Sequence, residues 1–178
     1  TQKRNNHSPI VDGRPISERP SEAESRASPG HWEGDLLAGN HDSYMATLVD
    51  RMTRFTILVK VSSKFLDDVV SALIKRMNEL PDLLKRSLTW DRGGEMAQHK
   101  RLTMDTGIDT FFCVARCPWQ RGTNENTNGL LRQYFPKGDD VTQCSQRYLD
   151  VVARKLNTRP RKVLGFSTSE IEMGNVLR

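Results

Sequence analysis

The chain has 178 residues, of which 36% are hydrophobic, and a net charge of +5. A chain of this length can bury one modest core, and it contains no run of about 18 apolar residues, which excludes a membrane-spanning helix. The polar N-terminus lacks the apolar stretch of a secretory signal, and three cysteines do not suggest a disulfide framework. We therefore expect a single domain in a reducing cytoplasm.

Positive charge is concentrated in the C-terminal half. Residues 116–162 carry ten Lys or Arg against four acidic residues, whereas residues 31–90 carry eight of each. A basic stretch is often simply a solvated surface with no binding role. Next to an acidic site it also suits a partner with a phosphate backbone, so both interpretations stay open at this point.

Residues 1–30 differ in composition from the rest of the chain. They are rich in Ser, Pro, Arg and Glu, with prolines at positions 9, 15, 20 and 29 and few apolar residues to anchor them. Such a composition is typical of segments that form no core of their own. We predict that residues 1–30 are an extended arm or linker and that residues 31–178 form the folded domain.

The folded part begins with short strands. Residues that favour strands, bounded by turn residues, predict three of them, at Trp32–Leu37, Tyr44–Asp50 and Phe55–Val61. Apolar residues then recur at helical spacing between Val69 and Leu80. The change of period predicts a helix after a three-stranded meander.

Strands and helices alternate in the second half. A fourth strand is predicted at Ser87–Trp90 and a fifth at Thr110–Val114, with a helix between them from about Gly94 to Gly107. Two more helices follow, and the second of them is amphipathic and starts at Ser145.

The order of these elements is βββαβαβα. The first three strands form a meander, and the later strands need parallel crossovers because helices separate them. We therefore predict an α/β fold with a mixed five-stranded sheet flanked by helices, an order that matches the ribonuclease-H-like fold.

Three acidic residues occupy positions that such a sheet would bring together. Asp35 lies on the first strand, Asp91 follows the fourth, and Glu125 lies near the start of the helix after the fifth. In this fold the first strand neighbours the fourth, so we expect the three acids at the same strand ends. Carboxylate oxygens suit Mg²⁺ or Mn²⁺, and two such ions can activate a nucleophile on a phosphodiester. Glu33 faces the same way as Asp35 and could be an auxiliary ligand, although a solvent-exposed or structural role is simpler.

The helix that carries Glu125 is predicted at Asn124–Phe135, with Thr123 as its cap. Asn128 and Arg132 lie three and seven residues after Glu125, so at about 100° per residue the three share one face. Arg132 could contact a substrate phosphate or a base. The alternative is an ordinary salt-bridged surface helix.

Three segments carry a resemblance to a known family. They are Gly30–Asp35 (GHWEGD), Pro118–Arg132 (PWQRGTNENTNGLLR) and Asn157–Gly165 (NTRPRKVLG). Together they resemble transposases of the insertion-sequence-thirty family, which are bacterial DDE enzymes with a retroviral-integrase-like catalytic core. The resemblance covers about residues 14–173, and the long middle segment is its most specific part.

The resemblance implies that Asp35, Asp91 and Glu125 are the catalytic triad and hold two Mg²⁺ or Mn²⁺ ions. It implies cleavage and strand transfer of an insertion element, with element ends and target DNA as partners and a homo-oligomer on DNA, in the cytoplasm at the bacterial nucleoid. We predict DNA contacts from Arg121, Asn128, Arg132, Arg159, Arg161 and Lys162. For the last three, a solvated basic turn is an equally open interpretation.

Departures from the family pattern keep other functions open. Arg92 follows the second aspartate where the family usually has Asn, and Cys117 replaces a small polar residue. The chain also leaves no room for the N-terminal helix-turn-helix segments of the family, so we expect a catalytic fragment or a truncated copy. The alternatives are a non-catalytic DNA-binding remnant of a truncated transposase and a ribonuclease-H-like nuclease.

Overall fold

The computed structural model describes residues 10–178, and residues 1–9 of the predicted arm lie outside this range. Within it the chain forms six strands: β1 (Arg14–Pro15), β2 (His31–Ala38), β3 (Tyr44–Asp50), β4 (Thr56–Lys60), β5 (Ser87–Trp90) and β6 (Asp109–Phe112). They make one sheet in the order β1-β6-β5-β2-β3-β4. The predicted mixed sheet is confirmed.

The described part of the sheet has one strand more than the sequence predicts. The five predicted strands are present within two residues of their expected bounds. The additional strand, β1, pairs in parallel with β6, with Arg14 opposite Phe111 and Pro15 opposite Phe112. Proline is tolerated here because β1 is an edge strand, whose outer side needs no ladder hydrogen bond.

Strand β2 lies inside the sheet and pairs differently on its two sides. It is antiparallel to β3 and parallel to β5. The register with β5 places Glu33 opposite Thr89. Continuing that register by two residues brings Asp35 level with Asp91, as the predicted neighbourhood of the first and fourth strands requires.

Helices cover both faces of the sheet. The described α-helices are α1 (Ser21–Glu24), α2 (Leu66–Asn78), α3 (His99–Thr106), α4 (Gly122–Leu131), α5 (Gln146–Asn157) and α6 (Ser169–Val176). The core under α2 and α3 contains the fully buried Trp32 and Trp90. The core under α4 and α5 contains Leu58, Leu131 and Leu149. No helix in this part of the chain is both long and apolar enough to cross a membrane.

Local signals place two helix ends correctly. Gly107 ends α3 in the left-handed conformation, with φ of +74°, as a glycine stop predicts. The hydroxyl of Ser145 accepts a hydrogen bond from the Tyr148 amide (3.1 Å) and caps α5. The sequence does not predict α6, which Thr168 caps in the same way.

Helix α4 departs from its prediction at both ends. Thr123 lies inside the helix and does not cap it, so that expectation is wrong. The helix also stops well before Phe135, because the amides of Gln133 and Tyr134 bond three residues back rather than four. Such bonds tighten the last turn and lead the chain out of the helix.

Residues 10–30 pack against the domain. Ala23 is fully buried, and Glu22 forms an ion pair with Arg86 (2.8 Å). Arg19 is buried and donates to the Thr89 hydroxyl on β5 (3.1 Å). The expectation of an extended arm therefore does not hold for this part, because polar contacts replace the missing apolar anchors. The division of the chain at residue 30 stays a prediction.

Candidate active site

Close packing between β2 and β5 positions two aspartates. Glu33 and Asp35 both contact α4, as expected for strand residues two apart. Between them lies Gly34, where a Cβ atom would overlap the Trp90 ring. Because Trp90 directly precedes Asp91, the glycine lets the strands that carry the two aspartates lie side by side.

One guanidinium group joins the two aspartates. Arg121 Nη1 lies 3.2 Å from Asp35 Oδ1, and Arg121 Nη2 lies 3.5 Å from Asp91 Oδ2. Nη1 also donates to the Gly34 carbonyl (3.1 Å). Arg121 is only 9% exposed, and its guanidinium faces the two carboxylates. Its predicted contact with DNA stays a prediction.

The shared guanidinium sets the electrostatics of the pair. Burial raises the pKa of Asp35 above its ordinary value, the charge of Arg121 opposes this rise, and the charge of Asp91 adds to it. Burial disfavours the charge on Arg121, but the two carboxylates outweigh burial and raise its pKa. Two acids held this close are stabilised by a cation between them, and Arg121 supplies that charge.

Amide side chains on α4 hold the Asp35 carboxylate. Asn128 Nδ2 donates to Asp35 Oδ2 (2.9 Å) and to Asn124 Oδ1 (3.0 Å). The hydroxyl of Thr47 donates to Asn128 Oδ1 (3.1 Å). Asn128, which the sequence predicts as a DNA contact, thus orients the first aspartate.

Glu33 has a structural role. It is fully buried, forms an ion pair with Arg51, and accepts from the Asn124 amide (2.9 Å). Asn124 Nδ2 also donates to the Glu33 carbonyl (3.1 Å). Sequence reasoning missed Asn124 because polar helical residues are ordinarily exposed. The available signal was its place on the same stripe of α4 as Thr127 and Leu131, both buried.

Glu125 lies on α4 but outside this network. It is exposed, because the helix buries the stripe that contains Thr123 and Asn124. Among residues 10–178, no three acidic, His or Cys side chains lie close enough together to hold a metal ion. The structure brings two of the three predicted acids together, and the place of Glu125 in the site stays a prediction.

A cavity of about 360 Å³ opens beside Asp91. Its lining includes Arg121, Arg92 and the exposed Arg116, which the sequence analysis did not single out. Burial raises the pKa of the Cys113 thiol in its wall to about 11, so this thiol is protonated at neutral pH. A carboxylate surrounded by guanidinium groups suits a phosphate ester that binds next to the acids.

Trp119 stands on the turn that leads into α4. It is 71% exposed and therefore does not anchor this turn in the core. Gln120 tethers the turn, since its Oε1 accepts from the Val114 amide (2.8 Å). The exposed indole is available for stacking on a base.

The remaining residues predicted to contact DNA differ in how they are tethered. Arg132 donates to two backbone carbonyls, at 3.3 Å each, and Arg159 donates to the Tyr134 hydroxyl (2.6 Å). Arg161 and Lys162 line a second cavity on the α4 side of the sheet. Their contacts with DNA stay predictions.

The family model for the integrase core domain matches residues 25–118. The chain belongs to the integrase core domain family. The match contains both aspartates and all of β2 to β6, and it ends before Glu125.

Transposases of insertion sequences are similar to this integrase core chain over nearly its whole length. Transposase InsI for insertion sequence element IS30A of Escherichia coli (strain K12) is 52% identical over 170 residues, which are 94% of this chain and 44% of that protein. The transposase for insertion sequence element IS1086 of Cupriavidus metallidurans is 44% identical over 169 residues, or 94% and 50% of the two chains. The resemblance to insertion-sequence-thirty transposases is confirmed. The chain spans about half the length of these relatives.

A solved structure shares the fold of this integrase core. It is a chain of a cryo-EM structure described as the simian T-cell lymphotropic virus intasome in complex with PP2A regulatory subunit B56 gamma. The TM-score is 0.57 at 19% identity, over 73% of this chain and 49% of that one. At this identity the likeness concerns the fold alone, and it confirms the predicted ribonuclease-H-like architecture.

Proposed function

We propose that this chain is the catalytic core of a DNA transposase, which cleaves phosphodiester bonds at the ends of an insertion element and transfers the strands to target DNA. The observation that carries the proposal is the convergence on Arg121 of Asp35, within β2, and Asp91, directly after the neighbouring parallel strand β5. The similarity to transposases supports the reaction class.

The donor atoms fit divalent cations. Asp35 and Asp91 offer carboxylate oxygens, which Mg²⁺ and Mn²⁺ prefer, and both already face a cationic group. Glu125, on the first turn of α4, is the proposed third ligand. A bound divalent ion would neutralise phosphate charge and lower the pKa of a water or hydroxyl bound to it.

The side chains around the acids have supporting roles in this proposal. Asn128 keeps the Asp35 carboxylate oriented. Arg92 and Arg116, in the cavity beside Asp91, are placed to bind phosphate oxygens of the DNA strand. Trp119 is exposed and can stack on a base near the cleavage point.

The partners of the reaction are proposed by analogy. The structural neighbour is described as part of an intasome, and we infer that this chain acts on DNA as a homo-oligomer. The substrates would be the element ends and target DNA, in the bacterial cytoplasm at the nucleoid.

Strand transfer by carboxylate variants tests the proposal. In the full-length transposase, Asp91→Asn and Glu125→Gln should lower Mg²⁺- or Mn²⁺-dependent strand transfer by about a thousandfold, because each loses several kcal/mol of charge stabilisation in the transition state. Glu79→Gln, at the exposed residue directly after α2, is the matched control and should retain activity. Full activity of Asp91→Asn would overturn the assignment.

A non-catalytic DNA-binding remnant is the second candidate. It is favoured by Arg121, whose guanidinium already contacts both aspartates and offsets part of their charge, and by the exposure of Glu125. Calorimetric titration of Mn²⁺ into wild type and Asp91→Asn separates the two candidates. If neither binds the metal but both bind DNA with a steep salt dependence, the remnant is correct. Binding by wild type alone supports the catalytic core.

A further inference from the structure

A second cavity, of about 230 Å³, lies at the start of α4. Its lining includes three cationic side chains, Arg54, Arg161 and Lys162, together with the hydroxyl-bearing Thr123 and Thr127. We call this cavity the arginine pocket. No acidic residue is part of its lining within residues 10–178.

The arginine pocket is separate from the aspartates. Thr123 and Thr127 line it, whereas Asn124 and Asn128 on the same helix face Glu33 and Asp35. At about 100° per residue, these two pairs lie on opposite flanks of the buried stripe of α4. A ligand in the pocket would therefore leave the carboxylates accessible.

Two arginines converge on one hydroxyl at the pocket wall. Thr123 Oγ1 accepts from Arg26 Nη1 (2.8 Å) and from Arg54 Nη1 (2.7 Å). A hydroxyl has two lone pairs, and here the two arginines occupy both. The hydroxyl proton of Thr123 is left free to donate. In the described part of the chain no acceptor receives that proton. The buried hydroxyl is thus a donor without a partner.

The cations of the pocket lack counter-ions. Within the described range, no carboxylate oxygen lies within 4.0 Å of the charged nitrogens of the lining residues Arg54, Arg161 and Lys162, or of Arg26, which contacts Thr123. Burial lowers the pKa of Arg54, and the charges of Glu33, itself paired with Arg51, and of Asp50 oppose this only in part. Burial also lowers the pKa of Arg26 and Arg161, and neighbouring arginines add to the effect. Like charges gathered in this way are stabilised by an anion.

Arg161 has N–H groups that donate to no described residue. Its Nε atom is buried and has no hydrogen-bond partner among the described residues. Its Nη2 reaches only the Leu156 carbonyl, at 3.5 Å. A guanidinium has five N–H donors, and its fork fits the oxygens of a phosphate.

We propose that the arginine pocket binds a phosphate of the DNA backbone. The guanidinium groups of Arg54 and Arg161, the ammonium of Lys162 and the Thr123 hydroxyl form a donor set for one tetrahedral oxyanion. The pocket opens to a surface where Lys162 is exposed, so a chain of phosphates can pass over it. This proposal rests on DNA being the substrate. The pocket would then fix the position of the DNA relative to the aspartates.

Charge removal on both partners tests this inference. A duplex carrying one neutral methylphosphonate at each backbone position in turn is titrated by fluorescence anisotropy against wild type, Arg161→Gln and Lys162→Gln. We expect each variant to lower the slope of log K against log salt by about one. At one backbone position, the methylphosphonate should weaken wild type but not the variants. Lys75→Gln, an exposed cation on α2, is the matched control for loss of one charge.

The outcomes separate the pocket from the proposed function. If the methylphosphonate and the protein substitution weaken binding additively at every backbone position, while wild type still binds DNA, the pocket proposal alone is overturned. Failure of wild type to bind any duplex would overturn both proposals. Inorganic phosphate could also raise the melting temperature of wild type but not of Arg161→Gln. Together with additive losses of DNA affinity, this result would point to a small phosphate ligand and overturn the backbone assignment. Lys162→Gln is at an exposed position, so the test does not depend on a variant that could misfold.

Discussion

The two charged regions on either flank of α4 are balanced in different ways. At the aspartate pair, two carboxylates share the Arg121 guanidinium, so the protein offsets part of its own charge. At the arginine pocket, Arg54 shares the Thr123 hydroxyl with Arg26, and none of the lining cations has a carboxylate within ion-pair distance among residues 10–178. The first region keeps a negative charge that a cation can balance beside Arg121, whereas the second needs an anion from outside. A charged site therefore points to its ligand most clearly where the protein leaves the charge unpaired.

The buried acid between the two regions should matter most for stability. Glu33→Gln removes the buried partner of Arg51, and we expect the free energy of unfolding to fall by about 3 kcal/mol or more, because the buried guanidinium keeps only the exposed Glu24 carboxylate, at 4.0 Å. Urea denaturation measures this change. Glu79→Gln removes an exposed pair with Arg76 and should cost less than about 1 kcal/mol. Equal losses of stability for the two variants would contradict the expected cost of breaking the buried Glu33–Arg51 pair.

Loss of Arg121 should unbalance the aspartate pair. Arg121→Gln leaves Asp35 and Asp91 facing each other without a cation, and we expect a loss of about 1–2 kcal/mol in the presence of a chelator. Mn²⁺ should restore more stability to this variant than to wild type, because the metal no longer competes with the guanidinium. Arg116→Gln, on the exposed rim of the same cavity, is the control. If Mn²⁺ leaves the stability of Arg121→Gln unchanged, the aspartate pair is not a metal site.

Removing the Thr123 hydroxyl of the arginine pocket should have a smaller effect on stability. Thr123→Val removes the acceptor of Arg26 and Arg54, and we expect a loss of about 1 kcal/mol in thermal or urea unfolding. Thr158→Val, an exposed hydroxyl at the end of α5, serves as the control and should be nearly neutral. No difference between the two variants would mean that solvent already satisfies both guanidinium groups.

The smallest predicted effect lies outside both regions, at His31. Burial lowers the pKa of His31 below its ordinary value of 6.5, and the hydrogen bond that His31 donates to Glu22 only partly opposes this. The folded state therefore binds the proton less readily than the unfolded state, so stability is full above pH 6.5 and falls as the pH drops below it. Urea unfolding at pH 7 and pH 5 should show a smaller decrease for His31→Gln than for wild type. His41→Gln, at an exposed site, should keep the wild-type decrease.

The sequence by itself determined the strands, the fold and the family. Strand-favouring residues, turn residues and helical hydrophobic periods are local signals, so the five main strands could be predicted from them. The pairing of the first strand with the fourth followed from matching the order of the elements to a known fold. The glycine stop at Gly107 and the Ser145 cap are local signals and were also found. The segments around Asp35 and Pro118–Arg132 identified the transposase resemblance that the relatives confirm.

Only the tertiary structure decided which polar residues are internal. Arg121, Asn124 and Asn128 look like surface residues in the sequence, yet they pack against β2 and hold Glu33 and Asp35. Their roles depend on the rotation of α4 over the sheet, and hydrophobic periodicity does not report that rotation when the buried stripe is polar. The arginine pocket has the same origin, since Arg26, Arg54 and Arg161 come from distant parts of the chain. Charge pairing is a property of the folded chain, and so the difference between the two flanks of α4 could be seen only there.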